Sequence, residues 1–472
     1  MAKPIPSSAD IGKLSKCKLV EILERAVEKH EDIAAEIRHA HLAANPVALA
    51  KSLSKDLKSI RVPRRFLKGA ELNQYCEARL DPILSVVRSG LMPDSPELSA
   101  PILCSFLQLD RKLIQHIDDS YGTAGGRMTE AKSLLVEIAR RNPELVLEEV
   151  RKIQDRDEPF SYRAEALLEV SAVLPESMLR ELISEYEAKL DAAIEESKAV
   201  VEFDPKPTTR RSPDFSLHSL RWPLMEMLEY LGDPDYFWQL CQKSFEEIPT
   251  VHERTYAELL LKADRYEEAM KALPAFPTNG FHRVEIESTR RDILRAMGRR
   301  DEVVLSLRQQ FERDPSEEAL HAWQAELPDG EQTKARDMAL EYLEKHHKKR
   351  EFALSQMVEF CEIDRAAGMV RAAPDPALWN GDYWNILPSC AKALSSNYPR
   401  EATIIYRSLI QSILHHKRSK AYGHGVRYLI LCGKLAGKIA SWTGLQDHTS
   451  FVESLREGHP KKRSFWLCYD DQ

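Results

Sequence analysis

Apolar residues recur at every third or fourth position along most of the chain, and this spacing limits the possible folds more than any other feature. One such stripe near the start consists of Leu19, Ile22, Leu23, Ala26 and Val27. Alternating runs of β-branched residues, which are typical of strands, are nearly absent. Glycine provides only 18 of the 472 residues, which is low for a glycine-rich nucleotide-binding fold. The sequence therefore predicts an all-α protein.

Composition divides the chain into four segments. Residues 1–10 are predicted to be a flexible tail, 11–199 an N-terminal helical region, 200–217 an exposed loop or hinge, and 218–472 a helical repeat region. The hinge rests on the stretch FDPKPTTRRSPDFSL, which combines three prolines with Thr, Ser and Arg and has no helical periodicity.

A weak internal repeat follows the predicted hinge. The stretches LLLKADRYEEA and DILRAMGRRDEV align at an offset of 34 residues, which pairs Leu260 with Leu294, Arg265 with Arg299, Glu268 with Glu302 and Ala269 with Val303. This offset is the tetratricopeptide period. Small residues recur at Ala367 and Ala402, and such residues allow two helices to approach closely. Because one helical hairpin cannot bury its apolar face alone, we expect a tetratricopeptide-like superhelix over residues 218–472.

Charge is distributed unevenly along the chain. The net charge is −7, but residues 411–472 carry 10 basic and 5 acidic side chains, and residues 11–70 are also basic. The middle of the chain is acidic. No apolar stretch approaches the roughly 18 residues of a membrane-spanning helix, and the first ten residues do not resemble a signal peptide. We therefore expect a cytoplasmic protein with no membrane partner.

The eight cysteines are scattered, without a C-x-C or C-x-x-C pair, so we expect reduced and buried thiols. Phosphate-binding loops, nucleophile elbows and H-E-x-x-H zinc motifs are all missing from the sequence. We predict no cofactor and favour a protein that is not an enzyme.

One loop has residue types that can bind a hard cation. An apolar helix predicted over residues 101–117 leads into His116, Asp118, Asp119, Ser120 and Gly122. Carboxylates and a histidine can ligate a metal, and these three side chains are weak candidates. The same residue types also terminate helices by bonding to backbone amides, and we favour that interpretation.

The C-terminal segment combines basic and aromatic residues. Lys and Arg neutralise phosphates, and aromatic rings stack on unpaired bases. The candidate nucleic-acid-binding residues are Lys417, Arg418, Lys420, Arg427, Lys461, Lys462 and Arg463. A solvated or protein-binding surface explains the same composition. The aromatic residues Trp379, Tyr383 and Trp384 are predicted to fill gaps between helices.

Several blocks resemble an uncharacterised bacterial family of helical proteins whose repeats look like those found beside SWIM-type zinc fingers. The blocks are FLKGAELNQYCEARLDPIL, HIDDSYGTAGG, SNYPREATIIYRSLI and DHTSFVESLREGHPKKRSFW. The resemblance implies an all-helical fold. The zinc finger itself is absent because the chain has no C-x-C, so neither its metal nor its binding role is implied here.

Three functions remain open from the sequence. The leading hypothesis is a non-enzymatic helical-repeat scaffold that binds a protein or peptide partner. The first alternative is nucleic-acid binding through the basic C-terminal segment. The second alternative is a metal-dependent enzyme that uses the loop at Asp118 and Asp119.

Overall fold

The computed structural model describes residues 13–29, 31–61, 63, 65–154, 161–203, 213–274, 282–346 and 349–472. Nearly all regular structure in these ranges is α-helical, which confirms the all-α prediction. The predicted tail at 1–10 lies outside the described residues. The predicted hinge falls partly outside them too, at 204–212, and helices cover the residues on either side.

The chain divides into two compact units, Met1–Pro274 and Ala275–Gln472. The helices described in the first unit are α1 Lys16–Lys29, α2 Glu31–Leu42, α3 Pro46–Ser59, α4 Gly69–Arg79, α5 Asp81–Val86, α6 Pro96–Leu107, α7 Asp110–Leu113, α8 Thr123–Ala139, α9 Pro143–Ile153, α10 Tyr162–Ser171, α11 Glu176–Phe203, α12 Pro213–Leu231, α13 Pro234–Ser244, α14 Thr250–Lys262 and α15 Tyr266–Ala272. A π-helical turn covers Val87–Leu91 and a 3-10 turn covers Ile114–His116. Two short strands, β1 Leu67–Lys68 and β2 Ile117–Asp118, pair in parallel.

Helix α6 lies at the centre of the first unit. It packs against α3, α8, α9 and α10. Its wide apolar face is buried and includes Ile102, Leu103, Phe106 and Leu107, whereas Glu97 and Ser105 are exposed on the remaining side. Such a wide apolar face is stable only when several neighbouring helices cover it.

The prediction of one helix over residues 101–117 is wrong for the C-terminal part of that range. Helix α6 ends at Leu107, and the separate helix α7 with its 3-10 turn follows. The break places the buried carboxylate of Asp110 3.4 Å from Nε of Arg163, which is also buried. Because Leu107 and Leu113 are buried on either side of the break, the apolar spacing continues through it and conceals it.

The helices described in the second unit are α16 Arg283–Ala296, α17 Arg300–Arg313, α18 Glu317–Ala325, α19 Asp329–His346, α20 Arg350–Glu359, α21 Ile363–Ala372, α22 Leu387–Leu394, α23 Pro399–His415, α24 Tyr422–Ala436, α25 His448–Gly458 and α26 Arg463–Asp470. Two 3-10 turns cover Pro376–Leu378 and Ser419–Ala421. Sequence neighbours pack as pairs, such as α16 with α17, α18 with α19, and α23 with α24.

Four helical hairpins share one turn geometry. Each has a left-handed residue between its helices, and these are Gly232, Asp264, Gly298 and Cys361, with φ from 59° to 72°. In the last three, the next amide donates to the carbonyl five residues earlier, at 2.9, 2.9 and 2.8 Å. This bond closes a Schellman turn. The turns at Asp264 and Gly298 are spaced like the sequence repeat, although a tetratricopeptide-like superhelix stays a prediction.

The small residues of the repeat occupy packing positions. Ala269, Val303, Ala367 and Ala402 are each fully buried. At these positions a larger side chain would push the two helices of a hairpin apart.

The cysteines match the prediction only in part. All eight are free, and five are buried, but Cys17, Cys361 and Cys468 are exposed. Cys361 is exposed because it occupies one of the left-handed turns. Among the helices that the structure describes, none is both long and apolar enough to cross a membrane.

Candidate nucleic-acid interface

Helix α23 supports the basic C-terminal segment. Most of its side chains are buried, including Ile404, Ile405, Leu409 and Ile410. The helix ends in another left-handed residue, Lys417, with φ 53°. The amide of Arg418 donates to the carbonyl of Ile413 at 3.1 Å, as in the other Schellman turns. The start of the basic segment is therefore a tight turn on a buried helix.

The first basic turn joins α23 to α24. Lys417 and Lys420 are exposed there. Arg418 is half-buried, and its Nη1 lies 3.2 Å from Oδ1 of Asp382. Arg427 lies further along α24, exposed, with its Nη2 3.1 Å from Nδ1 of His424.

The second basic turn joins α25 to α26 and contains Lys461, Lys462 and Arg463. Burial of two aromatic residues in α26 holds this turn in place. Phe465 packs edge-on against Tyr422 of α24, with ring centroids 5.7 Å apart. The indole N–H of Trp466 donates to the carbonyl of His459 at 3.0 Å, directly before the turn.

The two basic turns lie side by side. Gly425 of α24 allows the contact, because a Cβ there would approach the Phe465 ring to 3.0 Å. Tyr422 directly follows the first basic turn, and Phe465, which it contacts, follows Arg463 by two residues. The pKa of His459, which precedes the second turn, is lowered by burial and by the nearby Lys462 and His415. We name Lys417, Arg418, Lys420, Lys461, Lys462 and Arg463 the basic face.

Most cations of the basic face have no carboxylate partner. Over residues 349–472, all of which the structure describes, Arg418 alone among the six forms an ion pair. Arginines elsewhere in the second unit are commonly paired, as Arg336 is with Glu362 at 2.9 Å. Arg427 lies on α24, outside the two basic turns, and its side chain contacts His424, so it is not counted in the basic face.

A surface pocket of about 430 Å³ lies beside the second basic turn. It is lined by Arg456, Pro460, Arg463, Trp466, Leu467 and Asp470. The Arg456 guanidinium lies 4.5 Å from the centroid of the Trp466 ring and pairs with Asp470. The charge of Arg456 is thus neutralised, whereas that of Arg463 is available to an anion.

The aromatic residues that the sequence places in the core divide into two groups. Trp379 is buried, and its indole N–H donates to the carbonyl of Ala373 at 2.9 Å. Trp384 is 70% exposed, so the expectation that it fills a gap between helices is wrong. The signal that could have revealed this is the segment Asn380-Gly381-Asp382, whose turn-forming residues interrupt the helical spacing.

The loop with the weak metal candidates caps a helix. Both carboxylate oxygens of Asp119 accept backbone bonds, from Ala124 N at 2.8 Å and Gly125 N at 2.7 Å, at the first turn of α8. Asp118 accepts from the amide and hydroxyl of Ser120, and these bonds lower the pKa of Asp118. His116 is half-buried nearby in the sequence. Within the described part of the chain, no group of three or more His, Cys, Asp or Glu side chains is arranged to hold a metal ion.

The fold and the site define a protein built of helical hairpins with a basic, largely unpaired face at its C-terminal end. The chain belongs to DUF6880, a family of unknown function whose match covers residues 8–468. This match confirms that the resemblance extends over nearly the whole chain, and it carries no link to SWIM-type zinc fingers or to bacteria. No curated protein matches the sequence.

Proposed function

We propose that the protein is a non-enzymatic binding protein that contacts the phosphate backbone of nucleic acid through its basic face. The observation that carries the proposal is the placement, on two neighbouring turns, of five cations that have no carboxylate partner among the described residues. Phosphates supply the missing negative charge and release counterions when they bind. Residues 411–472 hold only 5 of the 74 acidic side chains but 10 basic ones, which favours binding of an anion at this end.

Charge reversal tests this proposal. The triple variant Lys461→Glu, Lys462→Glu, Arg463→Glu places carboxylates at the first turn of α26, where the helix dipole favours them, so the helix is retained. We expect fluorescence anisotropy with labelled DNA and RNA to show binding at least about tenfold weaker at low salt. The slope of log K against log salt falls by roughly 0.7–0.9 per phosphate contact removed.

A matched control is available in the first unit. Lys51, Lys55 and Lys58 are exposed on α3, and reversing them changes the net charge by the same amount. The control variant retains binding if the basic face is the site. Equal losses in both variants, with circular dichroism unchanged, would show that only net charge matters and would contradict the proposal.

A second candidate function is a scaffold for a protein or peptide partner. It is supported by the four hairpins with a common turn and by the buried small residues between their helices. Stacked hairpins of this kind offer extended binding surfaces. We also propose, from the sequence resemblance, a bacterial origin and a relation to the helical regions found beside SWIM-type zinc fingers.

The test of the scaffold is a pull-down from native lysate with and without nuclease. A partner that survives nuclease treatment at both low and moderate salt supports it. A partner that is recovered only without nuclease supports nucleic-acid binding by the basic face instead, because nucleic acid then bridges the two proteins.

A further inference from the structure

The segment 380–386, between the buried Trp379 and helix α22, is held firmly against α23. Gly381 lies so close to α23 that a Cβ would be 2.3 Å from the carbonyl oxygen of Ser408. The amide of Asn380 donates to the buried carboxylate of Glu351 at 2.6 Å. Both contacts fix the backbone that leads into the exposed Trp384.

Asp382 connects this segment to the basic face. Its carboxylate accepts the hydroxyl of Ser412 and lies 3.2 Å from Nη1 of Arg418 and 3.5 Å from Nδ1 of His416. The bond from Ser412, together with the charges of Arg418 and His416, lowers the pKa of Asp382. The carboxylate therefore stays ionised and keeps the segment beside the first basic turn.

Aromatic rings follow directly after this carboxylate. Tyr383 packs edge-on against Phe352, with ring centroids 5.4 Å apart, and Lys349 lies 5.3 Å from the centre of the Phe352 ring. Trp384 projects from the same segment and is 70% exposed. We name Phe352, Tyr383 and Trp384 the aromatic platform.

From this arrangement we infer that the basic face and the aromatic platform form one binding surface for single-stranded nucleic acid, on which a base stacks against Trp384. The inference rests on the proposed function and goes further, because phosphate contact alone does not distinguish a single strand from a duplex. Bases of a duplex are stacked on each other, whereas unpaired bases offer a free face to an aromatic side chain. An exposed indole two residues from Asp382, whose carboxylate contacts Arg418 of the basic face, fits that chemistry.

The experiment compares Trp384→Ala with Trp384→Phe in the full chain. Binding of a labelled 20-nucleotide oligothymidine and of a 20-base-pair duplex is measured by anisotropy at two salt concentrations. We expect Trp384→Ala to weaken single-strand binding at least about fivefold and to leave duplex binding unchanged. Trp384→Phe retains most of the affinity, because phenylalanine still stacks.

A matched control is Tyr121→Ala, which removes an 89% exposed aromatic ring from the first unit. It leaves both affinities unchanged. A second readout is tryptophan emission, which the oligonucleotide quenches in the wild-type chain and quenches less in Trp384→Phe. Circular dichroism confirms that each variant is folded.

The outcomes separate the inference from the proposed function. If Trp384→Ala binds the single strand as well as the wild-type chain does, the inferred stacking on Trp384 is wrong. The proposed phosphate contacts of the basic face are not affected by that result. Equal weakening of both ligands also overturns it, because stacking acts on unpaired bases. Failure of the wild-type chain to bind either oligonucleotide at low salt removes the proposed function as well. Binding of a labelled polyglutamate peptide in place of the oligonucleotides assigns the surface to an acidic protein partner.

Discussion

At the scale of single residues, Arg407 shows how this protein holds a buried cation with backbone carbonyls and aromatic rings. Its side chain is 1% exposed, and its guanidinium donates to the carbonyls of Gln446 and Asp447 at 2.7 and 3.2 Å. The rings of Phe451 and Trp442 flank it, with centroids 4.1 and 5.2 Å away. Burial lowers the pKa of Arg407 to about 10, so the residue stays charged at neutral pH. Its bonds hold the chain between α24 and α25 against α23.

Replacing Arg407 with Met tests this arrangement. The variant leaves the two carbonyls without donors and removes the cation–π contacts, so we expect the free energy of unfolding to fall by about 2–3 kcal/mol. Urea denaturation measures the change. Arg400→Met is the control, because Arg400 makes a single bond to the carbonyl of Thr443 from a less buried position. Equal effects in the two variants would mean that burial of Arg407 adds nothing.

At the scale of elements, the apolar periodicity predicts where helices lie, whereas capping and turn residues decide where each helix begins and ends. Left-handed turns at Asp264 and Cys361 are made by residues other than glycine, so glycine alone does not mark them in the sequence. Helix α8 begins at a left-handed Gly122, and the carboxylate that caps it belongs to Asp119, three residues earlier. The prediction that the loop side chains bond to backbone amides agrees with these contacts.

Asp119→Ala measures the strength of this cap. Two amides at the start of α8 lose their acceptor, and we expect the free energy of unfolding to fall by about 1 kcal/mol. Asp118→Ala is the matched control and has a smaller effect, because its carboxylate bonds only to Ser120. Adding Mg²⁺ or Ca²⁺ leaves the Tm of the wild-type chain unchanged. A rise in Tm that Asp118→Ala and Asp119→Ala abolish would instead support the metal alternative.

At the scale of the whole molecule, both units contain histidines that resist protonation. In the first unit, burial and the neighbouring His218 lower the pKa of His252, which packs against Phe245 at 5.0 Å. In the second unit, burial lowers the pKa of His448 and His459, with further contributions from Arg407 and from Lys462. In each case the folded chain favours the neutral ring.

These shifts predict acid sensitivity of the whole protein. Above pH 6.5, the ordinary histidine pKa, the rings are neutral in both states and have no effect. As the pH falls below that value, the unfolded chain binds protons first, so stability decreases until the lowered pKa values are passed. The raised pKa of Glu229 acts in the opposite direction as the pH approaches 4.5.

Thermal unfolding between pH 7.5 and 5.5 measures this loss of stability. His252→Phe keeps the aromatic contact with Phe245 and cannot be protonated, so we expect a smaller fall in Tm than in the wild-type chain. A Tm that rises on acidification over this range would contradict the prediction.

The sequence by itself determined the all-α fold and the residue types available at the C-terminal end, because helical spacing and charge are local properties of a chain. It also located the small residues between helices, although not the break after Leu107, because the apolar spacing continues through that break. Only the tertiary structure decided that Tyr422, after the first basic turn, packs on Phe465, after the second, that Trp384 is exposed, and that Asp119 caps a helix. These facts depend on contacts between residues far apart in sequence, such as that of Phe465 with Tyr422, which no local pattern encodes.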